Sequence, residues 1–205
     1  MKEIEKKIEE FISDIAFFKG MGKKLRDRTI IVGGLIPSLM AGKTIRDIDI
    51  VTEDVGSYKY LLEEEFKREF RLIKDTKGHE LLKFIFEGIH FDVNELEGDL
   101  KRDSLRRDFT INSLFYSLGG KKIIDPLGGL SDFKDGILKM ASRDFLKSDP
   151  VRYLRYYRFL GEYDHLNPEE ETAELVASFP LKRVLEVPME RIFLEFKKIL
   201  NLRDS

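Results

Sequence analysis

Asp47 and Asp49 sit in a short alternating run, Asp47-Ile48-Asp49-Ile50-Val51, downstream of a Gly33-Gly34 pair. Alternate residues of a strand share one face, so both carboxylates point the same way. Two like charges that close raise one pKa unless a cation lies between them. A divalent metal removes that conflict, and phosphoryl-type transfer needs one to polarise the phosphate and activate the attacking hydroxyl. The glycine pair leaves backbone N–H groups bare, and such groups can cradle a triphosphate. Taken alone, an Asp-x-Asp pair is also what a solvated strand face carries.

Two further clusters could do chemistry. In Arg106-Arg107-Asp108-Phe109-Thr110-Ile111-Asn112, adjacent arginines could bind phosphate or ribose, with Asp108 orienting one of them. The plainer reading is a capping Asp or Thr with exposed arginines. In Asp149-Pro150-Val151-Arg152-Tyr153-Leu154-Arg155-Tyr156-Tyr157-Arg158, Pro150 at the first helical position makes Asp149 an N-cap. Asp149 and Arg152 are also i,i+3 neighbours and could form an ion pair on the helix surface. A carboxylate acceptor beside a guanidinium donor can equally pair with a base edge. Arg152, Arg155 and Arg158, at spacing three, could follow phosphates. His79, His90 and His165 fit no metal-ligand or triad spacing, and Phe91, Tyr153, Tyr156 and Tyr157 read as core.

These residues need elements to position them. Lys2 to Phe18 carries an apolar helical stripe at Ile4, Ile8, Phe11, Ile12 and Ile15. The β-branched run Thr29–Val32 reads as a buried strand stopped by the glycine pair. Leu35 to Ala41 reads as a short helix closed by Gly42, and Asp47–Val51 as a second strand. Tyr58 to Phe70 is helical, and Leu81–Phe86 and Ile89–Val93 form a hairpin turning at Glu87-Gly88. From Asp99 the pattern is helical apart from a short strand at Lys122–Ile124. After Asp149 it is helical throughout, with breaks near Asn167-Pro168, Pro180 and Pro188. The outline is a mixed-sheet α/β head to about Met140, then an all-helical part.

The bulk numbers narrow the function classes. The 205 residues suffice for one good core or two small domains. No cysteine is present, which excludes disulfides, zinc-thiolate sites and a thiol nucleophile. A catalytic metal would therefore rest on carboxylates, favouring magnesium or manganese. No apolar run approaches the ~20 residues that span a bilayer, and the charged opening MKEIEKKIEEFI is no signal peptide. No membrane association and a cytoplasmic location are expected. The net charge of −2 decides nothing about nucleic acid; basic residues do cluster at Lys101–Arg107 and Arg143–Arg158.

Taken together and in this order, the motifs resemble the class II tRNA nucleotidyltransferases, the family of CCA-adding enzymes and bacterial poly(A) polymerases. The likeness runs from about Thr29 to Leu200. Gly33-Gly34 with Asp47-x-Asp49-x-x-Thr52 is similar to the family's triphosphate and metal motif, and Arg106–Leu114 to its ribose-selecting motif. Asp125-Pro126-Leu127-Gly128-Gly129-Leu130-x-Asp132 resembles the segment joining head to neck. Asp149-Pro150-x-Arg152-x-x-Arg155-x-x-Arg158-Phe159 resembles the base-reading helix, and Glu190-Arg191-Ile192-x-x-Glu195 the late neck motif.

The resemblance implies an α+β fold: a polymerase-β-like nucleotidyltransferase head with a mixed sheet over 1–140, including the N-terminal helix, and an all-helical neck over 141–205. It implies that Asp47 and Asp49 bind two magnesium ions, with Asp92 as a third acidic group. Gly33 and Gly34 would hold the triphosphate, Arg107 and Asp108 would meet the ribose, and Asp149 and Arg152 would read the base, with Asn112, Arg155 and Arg158 as further nucleotide-binding residues. The implied activity is template-independent addition of C and/or A, from CTP and/or ATP, to the 3′ end of tRNA or another RNA.

Four departures stand against the family's pattern. Ile36-Pro37-Ser38 replaces a Val-Arg-Asp run, removing an expected triphosphate-binding arginine, and Ser148 replaces a glutamate. The stretch between Asp92 and Arg106 is shorter than the family's flexible loop, which helps the site switch from C to A; this admits a CC-adding reading. The chain stops after the neck, so a partner chain or self-association is expected to replace the body and tail. A non-catalytic relative that binds RNA or nucleotide is the further alternative.

Overall fold

The computed structural model describes residues 1–74 and 78–202. They group into two compact units. Among the described residues, those up to 103 and those at 114–126 form the first, and 104–113 with 127–202 form the second. A single cut at 140 therefore does not follow the packing. Backbone bonds explain why: the Thr110 amide donates to the Lys139 carbonyl and the Ala141 amide to the Asp108 carbonyl, so both segments flanking the last strands of the first unit join the second.

The first unit opens with α1 (Lys2–Asp14), α2 (Ala16–Lys19) and α3 (Lys23–Asp27), then β1 (Ile30–Val32), α4 (Leu35–Met40), β2 (Asp47–Thr52) and α5 (Val55–Phe66). It continues through β3 (Leu72–Lys74), β4 (Glu80–Phe86), β5 (Ile89–Glu95) and α6 (Leu100–Leu105), whose last two residues already belong to the second unit, and closes with β6 (Phe115–Ser117) and β7 (Lys122–Ile124). The seven strands form one sheet in the order β3-β4-β5-β2-β1-β6-β7. It is mixed: β2 and β5 run parallel, with Asp49 opposite Asp92, and the other neighbours are antiparallel.

One face of the sheet is an aromatic core. Phe17, on α2, packs its ring 4.4 Å from Phe91, 5.3 Å from Phe84 and 5.2 Å from Phe66. Phe84 and Phe91 are cross-strand partners and stack at 5.1 Å. Burying a ring such as Phe17 stabilises by roughly 1.5–3 kcal/mol. The amphipathic α1 is tied to the far end of the sheet by Glu5, which accepts from the Ile123 amide at 3.1 Å, and by Glu9, which accepts from the Tyr116 hydroxyl.

The hairpin turns where the sequence places it. Glu87 and Gly88 both have positive φ, 48° and 81°, as a two-residue turn matched to strand twist requires. Other elements differ from the sequence pattern. The first helical stripe breaks at an extended Ile15. The fifth helix starts at Val55, where the Asp54 carboxylate accepts from the Ser57 amide, and ends at a left-handed Lys67. β6 replaces part of the helical pattern expected after Asp99, held on one side by β1 and on the other by β7, and β3 is a further strand, paired with β4.

The second unit contains α7 (Gly129–Lys134), β8 (Ile137–Leu138), α8 (Phe145–Ser148), α9 (Arg152–Glu162), β9 (Asn167–Pro168), α10 (Glu170–Ala177) and α11 (Met189–Asn201), with 3-10 turns at Thr110–Asn112 and Leu181–Glu186. The break expected near Asn167-Pro168 is a two-residue strand pairing parallel with β8. Phe109 packs 5.7 Å from Phe145 and 5.2 Å from Phe159. Among the described residues no helix is long and apolar enough to cross a membrane.

Candidate active site

The paired aspartates occupy the sheet face opposite the aromatic core. Along β2, Ile48 and Ile50 are fully buried while Asp47 is exposed and Asp49 partly so. Further along the same row Val51 joins Val32 and Phe115 in a small cluster, covered by Leu96 and Leu100. One strand face is thus closed by apolar side chains at one end and carries two carboxylates at the other.

The Gly33-Gly34 turn ends β1 beside them. Gly33 has φ +84°, and a Cβ there would collide with the Asp49 carboxylate. The glycine is required twice, for its backbone conformation and for the close approach of that carboxylate. Gly34 begins α4 with open space about it. Pro37 lies buried in the first turn of α4, where a missing N–H costs nothing. Gly33→Ala is expected to lower stability by about 1–3 kcal/mol and to cut any Asp49-dependent activity more than its melting temperature predicts. Thermal unfolding with an activity assay on the folded fraction checks this; wild-type behaviour in both would reject the close-approach argument.

Asp92 stands opposite Asp49 in register and forms an ion pair with Lys83, its cross-strand partner on β4. Among the described residues no group of three or more His, Cys, Asp or Glu side chains is set to hold a metal. The donors available are the two aspartates of β2. Two carboxylates suit magnesium, which keeps several waters and completes its shell with substrate phosphates.

The remaining candidates lie in the second unit, where three arginines of α9 and two carboxylates alternate in a buried chain. Asp108, 5% exposed, takes Arg152 Nε at 2.6 Å through one oxygen and Arg155 Nη1 at 2.8 Å through the other. Glu195, 4% exposed, takes Arg155 Nε at 3.1 Å and Arg158 Nε at 3.0 Å. Arg158 also donates to Glu162 at 2.7 Å. Burial pushes the Asp108 carboxyl up, but Arg155 and Arg152 outweigh it, and the net position is below the ordinary value. Arg155 is shifted upward: burial opposes its charge, and Asp108 and Glu195 overcome that.

Arg152 is further fixed by donating from Nη1 to the Phe145 carbonyl at 2.9 Å and Ser148 Oγ at 2.6 Å, and from Nη2 to the Arg106 carbonyl. The Nε–Asp108 contact is close but off the N–H line, so among the described residues it is an ion pair without a hydrogen bond. These partners face four of the five N–H groups of a guanidinium.

Asp149 and Arg152 do not pair with each other. Helix α9 begins at Arg152, after a turn at 150–151, and the Asp149 carboxylate accepts from Arg191 Nη2 at 2.6 Å. Asp149 is not the N-cap expected from the sequence: Val151 holds that position, because the helix starts two residues later than Pro150, and the Asp149 carboxylate only accepts a long 3.4 Å bond from the Val151 amide within the preceding turn. Asn112 closes its own turn, Oδ1 accepting from the Phe109 amide at 3.0 Å. Arg107 sits in the segment just before Asp108. Nearby, Gly129 packs so closely on the Thr110 carbonyl that a Cβ would overlap it, and Thr110 donates to Asp132 at 2.6 Å.

Lys83 was not read from the sequence as a site residue, and Arg191 and Glu195 were read only as parts of the late neck motif, not as the partners of Asp149 and of the α9 arginines. Lys83 was recoverable, because a two-residue hairpin at Glu87-Gly88 puts it opposite Asp92.

The seven-stranded mixed sheet, bearing paired aspartates beside a glycine turn, has the architecture of a polymerase-β-like nucleotidyltransferase head. Residues 29–139 match the Poly A polymerase head domain, and the chain belongs to that family. Among curated relatives, poly(A) polymerase I of Salmonella typhimurium is 29% identical over 199 residues, covering 83% of this chain and 41% of that protein. The CC-adding tRNA nucleotidyltransferase of Geobacter sulfurreducens is 30% identical over 173 residues, covering 83% and 40%. Among solved structures, the Thermotoga maritima CCA-adding enzyme complexed with tRNA superposes with a TM-score of 0.74 at 28% identity, covering 87% of this chain and 46% of that one. The chain thus spans about two fifths of the length of these curated relatives.

Proposed function

We propose that this chain carries the catalytic head and neck of a metal-dependent, template-independent RNA nucleotidyltransferase, transferring a nucleotide from CTP or ATP to an RNA 3′ end. The observation that carries the reading is the position of Asp47 and Asp49 on one open strand face, with the Asp49 carboxylate fitted against the Gly33 turn.

In this reading Asp47 and Asp49 hold two magnesium ions, and Gly33 and Gly34 present backbone N–H groups to the triphosphate. The metal, when bound, lowers the pKa of the attacking hydroxyl and neutralises charge on the phosphates. Asp92, balanced by Lys83, is the third acidic group. Arg107, Asp108 and Asn112 serve the ribose side, and Asp149 with Arg152 reads the base edge. Arg155 and Arg158, held by Asp108 and Glu195, keep that helix face rigid, so that Arg152 offers its remaining Nη2 hydrogen from a fixed position. A pre-organised donor discriminates bases better than a mobile one because its ordering entropy is already spent.

The segment between β5 and α6 favours a narrower second reading, addition of C only. It comprises Leu96 to Asp99, and each end is tied down. The Leu96 amide donates to the Thr52 carbonyl at 2.8 Å, the Glu97 amide to Asp103 at 3.3 Å, and the Arg102 amide to Asp99 at 2.7 Å. Leu96 and Leu100 pack on the Val32–Val51–Phe115 cluster. So short and pinned a segment has little reach for reshaping a pocket from the smaller base to the larger.

The test is incorporation of CTP and ATP, supplied separately, on RNAs ending before the first C and after the second. The expected outcome is C addition to the first and little A addition to the second. Efficient ATP addition to the CC-ended RNA would overturn the C-only reading and restore the CCA- or A-adding one. No addition of either nucleotide would leave a non-catalytic binding protein.

A further inference from the structure

One row of side chains crosses the sheet through the candidate site. Successive cross-strand partners along it are Lys83 on β4, Asp92 on β5, Asp49 on β2, Val32 on β1 and Phe115 on β6. Residues in register carry their side chains on the same face, with Cβ atoms about 4.5–5.5 Å apart. The Phe115 end of the row is apolar and buried. The other end is charged, and there Asp92 stands between a carboxylate and an ammonium.

The two carboxylates of this row turn away from each other. Asp49 lies against the Gly33 turn at the end of β1, and Asp92 pairs with Lys83 on β4. In the strand order β4-β5-β2-β1 these are opposite directions. Accordingly, three acidic residues that are close in the sheet form no three-carboxylate group among the described residues. The cause is electrostatic. Without a cation between them Asp47, Asp49 and Asp92 repel, and Lys83 offers Asp92 a positive charge on the far side.

We propose, resting on the reading of Asp47 and Asp49 as metal ligands, that Lys83 is a positioning residue for the metal site. It holds Asp92 off the position of the ion, and a divalent ion takes its place on that carboxylate. The exchange costs little here. The Lys83 side chain is 53% exposed, so its ammonium can swing into water on a flexible stem, and an exposed ion pair is a weak one. Asp92 has only to turn from β4 towards β2, a neighbouring strand ~4.8 Å away. Magnesium keeps several waters in its shell, so a third carboxylate can replace one of them without rebuilding the site. Lys83 thereby sets how many protein carboxylates the ion meets: two while the pair is closed, three once it opens.

Binding of manganese alone to the full chain, read from the electron paramagnetic resonance of the free ion, tests this apart from catalysis. Manganese takes the same oxygen ligands as magnesium. Lys83→Met keeps the stem and removes the charge, and should tighten binding by about fivefold, the worth of an exposed ion pair. Lys83→Arg should bind as the wild type does. In an Asp92→Asn background the gain from Lys83→Met should shrink below about twofold, because the carboxylate that Lys83 holds is gone. Equal affinities for the wild type and Lys83→Met would overturn the proposal. So would a gain of full size in the Asp92→Asn background, which would mean a general field effect of the removed charge. Asp49→Ala separates the underlying reading: it should abolish binding whatever Lys83 does, and an ion still held without Asp49 would remove the metal-site reading and this proposal together.

Discussion

Replacing either Asp47 or Asp49 by alanine is expected to reduce nucleotide incorporation by at least roughly a thousandfold, because a bound metal supplies several kcal/mol of transition-state stabilisation. Asp47 is exposed and Asp49 partly so, and neither belongs to the buried core, so the fold should survive with a loss of no more than about 1 kcal/mol. The pairing of the two readouts matters. Activity lost together with the melting transition would mean a structural role; activity lost at unchanged stability identifies a ligand. Unchanged turnover in either variant would remove the metal-site assignment.

Asp108→Ala should give the largest loss of stability. Its carboxylate separates Arg152 from Arg155, both largely buried. Removing it leaves two guanidinium groups without their shared counter-ion, at a cost of about 3–5 kcal/mol. Asp108→Asn should be milder, since it keeps the shape and an acceptor oxygen. The same network predicts an acid limb. The folded carboxyl titrates below its ordinary value near 3.8, so its contribution is complete above the unfolded value and is lost as pH falls through the lower folded one. Chemical denaturation between pH 6 and pH 3 checks the sign: the wild type should lose stability at the acid end that Asp108→Asn has already lost. Equal acid slopes would mean that Asp108 is not stabilised by the arginines.

What the sequence discloses is what depends on neighbours along the chain. Period-two alternation puts Asp47 and Asp49 on one face regardless of the rest of the fold. Glu87-Gly88 needs only its own dihedral preferences to make a hairpin. The strand Phe115–Ser117 is different: its hydrogen bonds go to Ile30–Val32 and Lys122–Ile124, and its apolar run continues a helical pattern when read locally. The second site shows the same limit. Asp149 and Arg152 look paired because they are three residues apart, yet each takes a partner from far along the chain, Asp149 from Arg191, 42 residues on. A buried carboxylate shared by two arginines outcompetes a solvated i,i+3 contact, which contributes only ~0.2–0.5 kcal/mol. Glu195 was legible as part of a motif, but its role as the second link in the arginine chain follows only from the packing of α11 on α9.

Nucleotidyl transfer is distinguished from other uses of a nucleoside triphosphate by the position of the label. The chain is incubated with magnesium, an RNA ending before its terminal CC, and CTP or ATP labelled at either the α or the γ phosphorus. The expected result is α label in the RNA, lengthened at its 3′ end, γ label only in pyrophosphate, and neither product with Asp49→Ala. Label from the γ position on the RNA, or none from either on any RNA 3′ end, would contradict it.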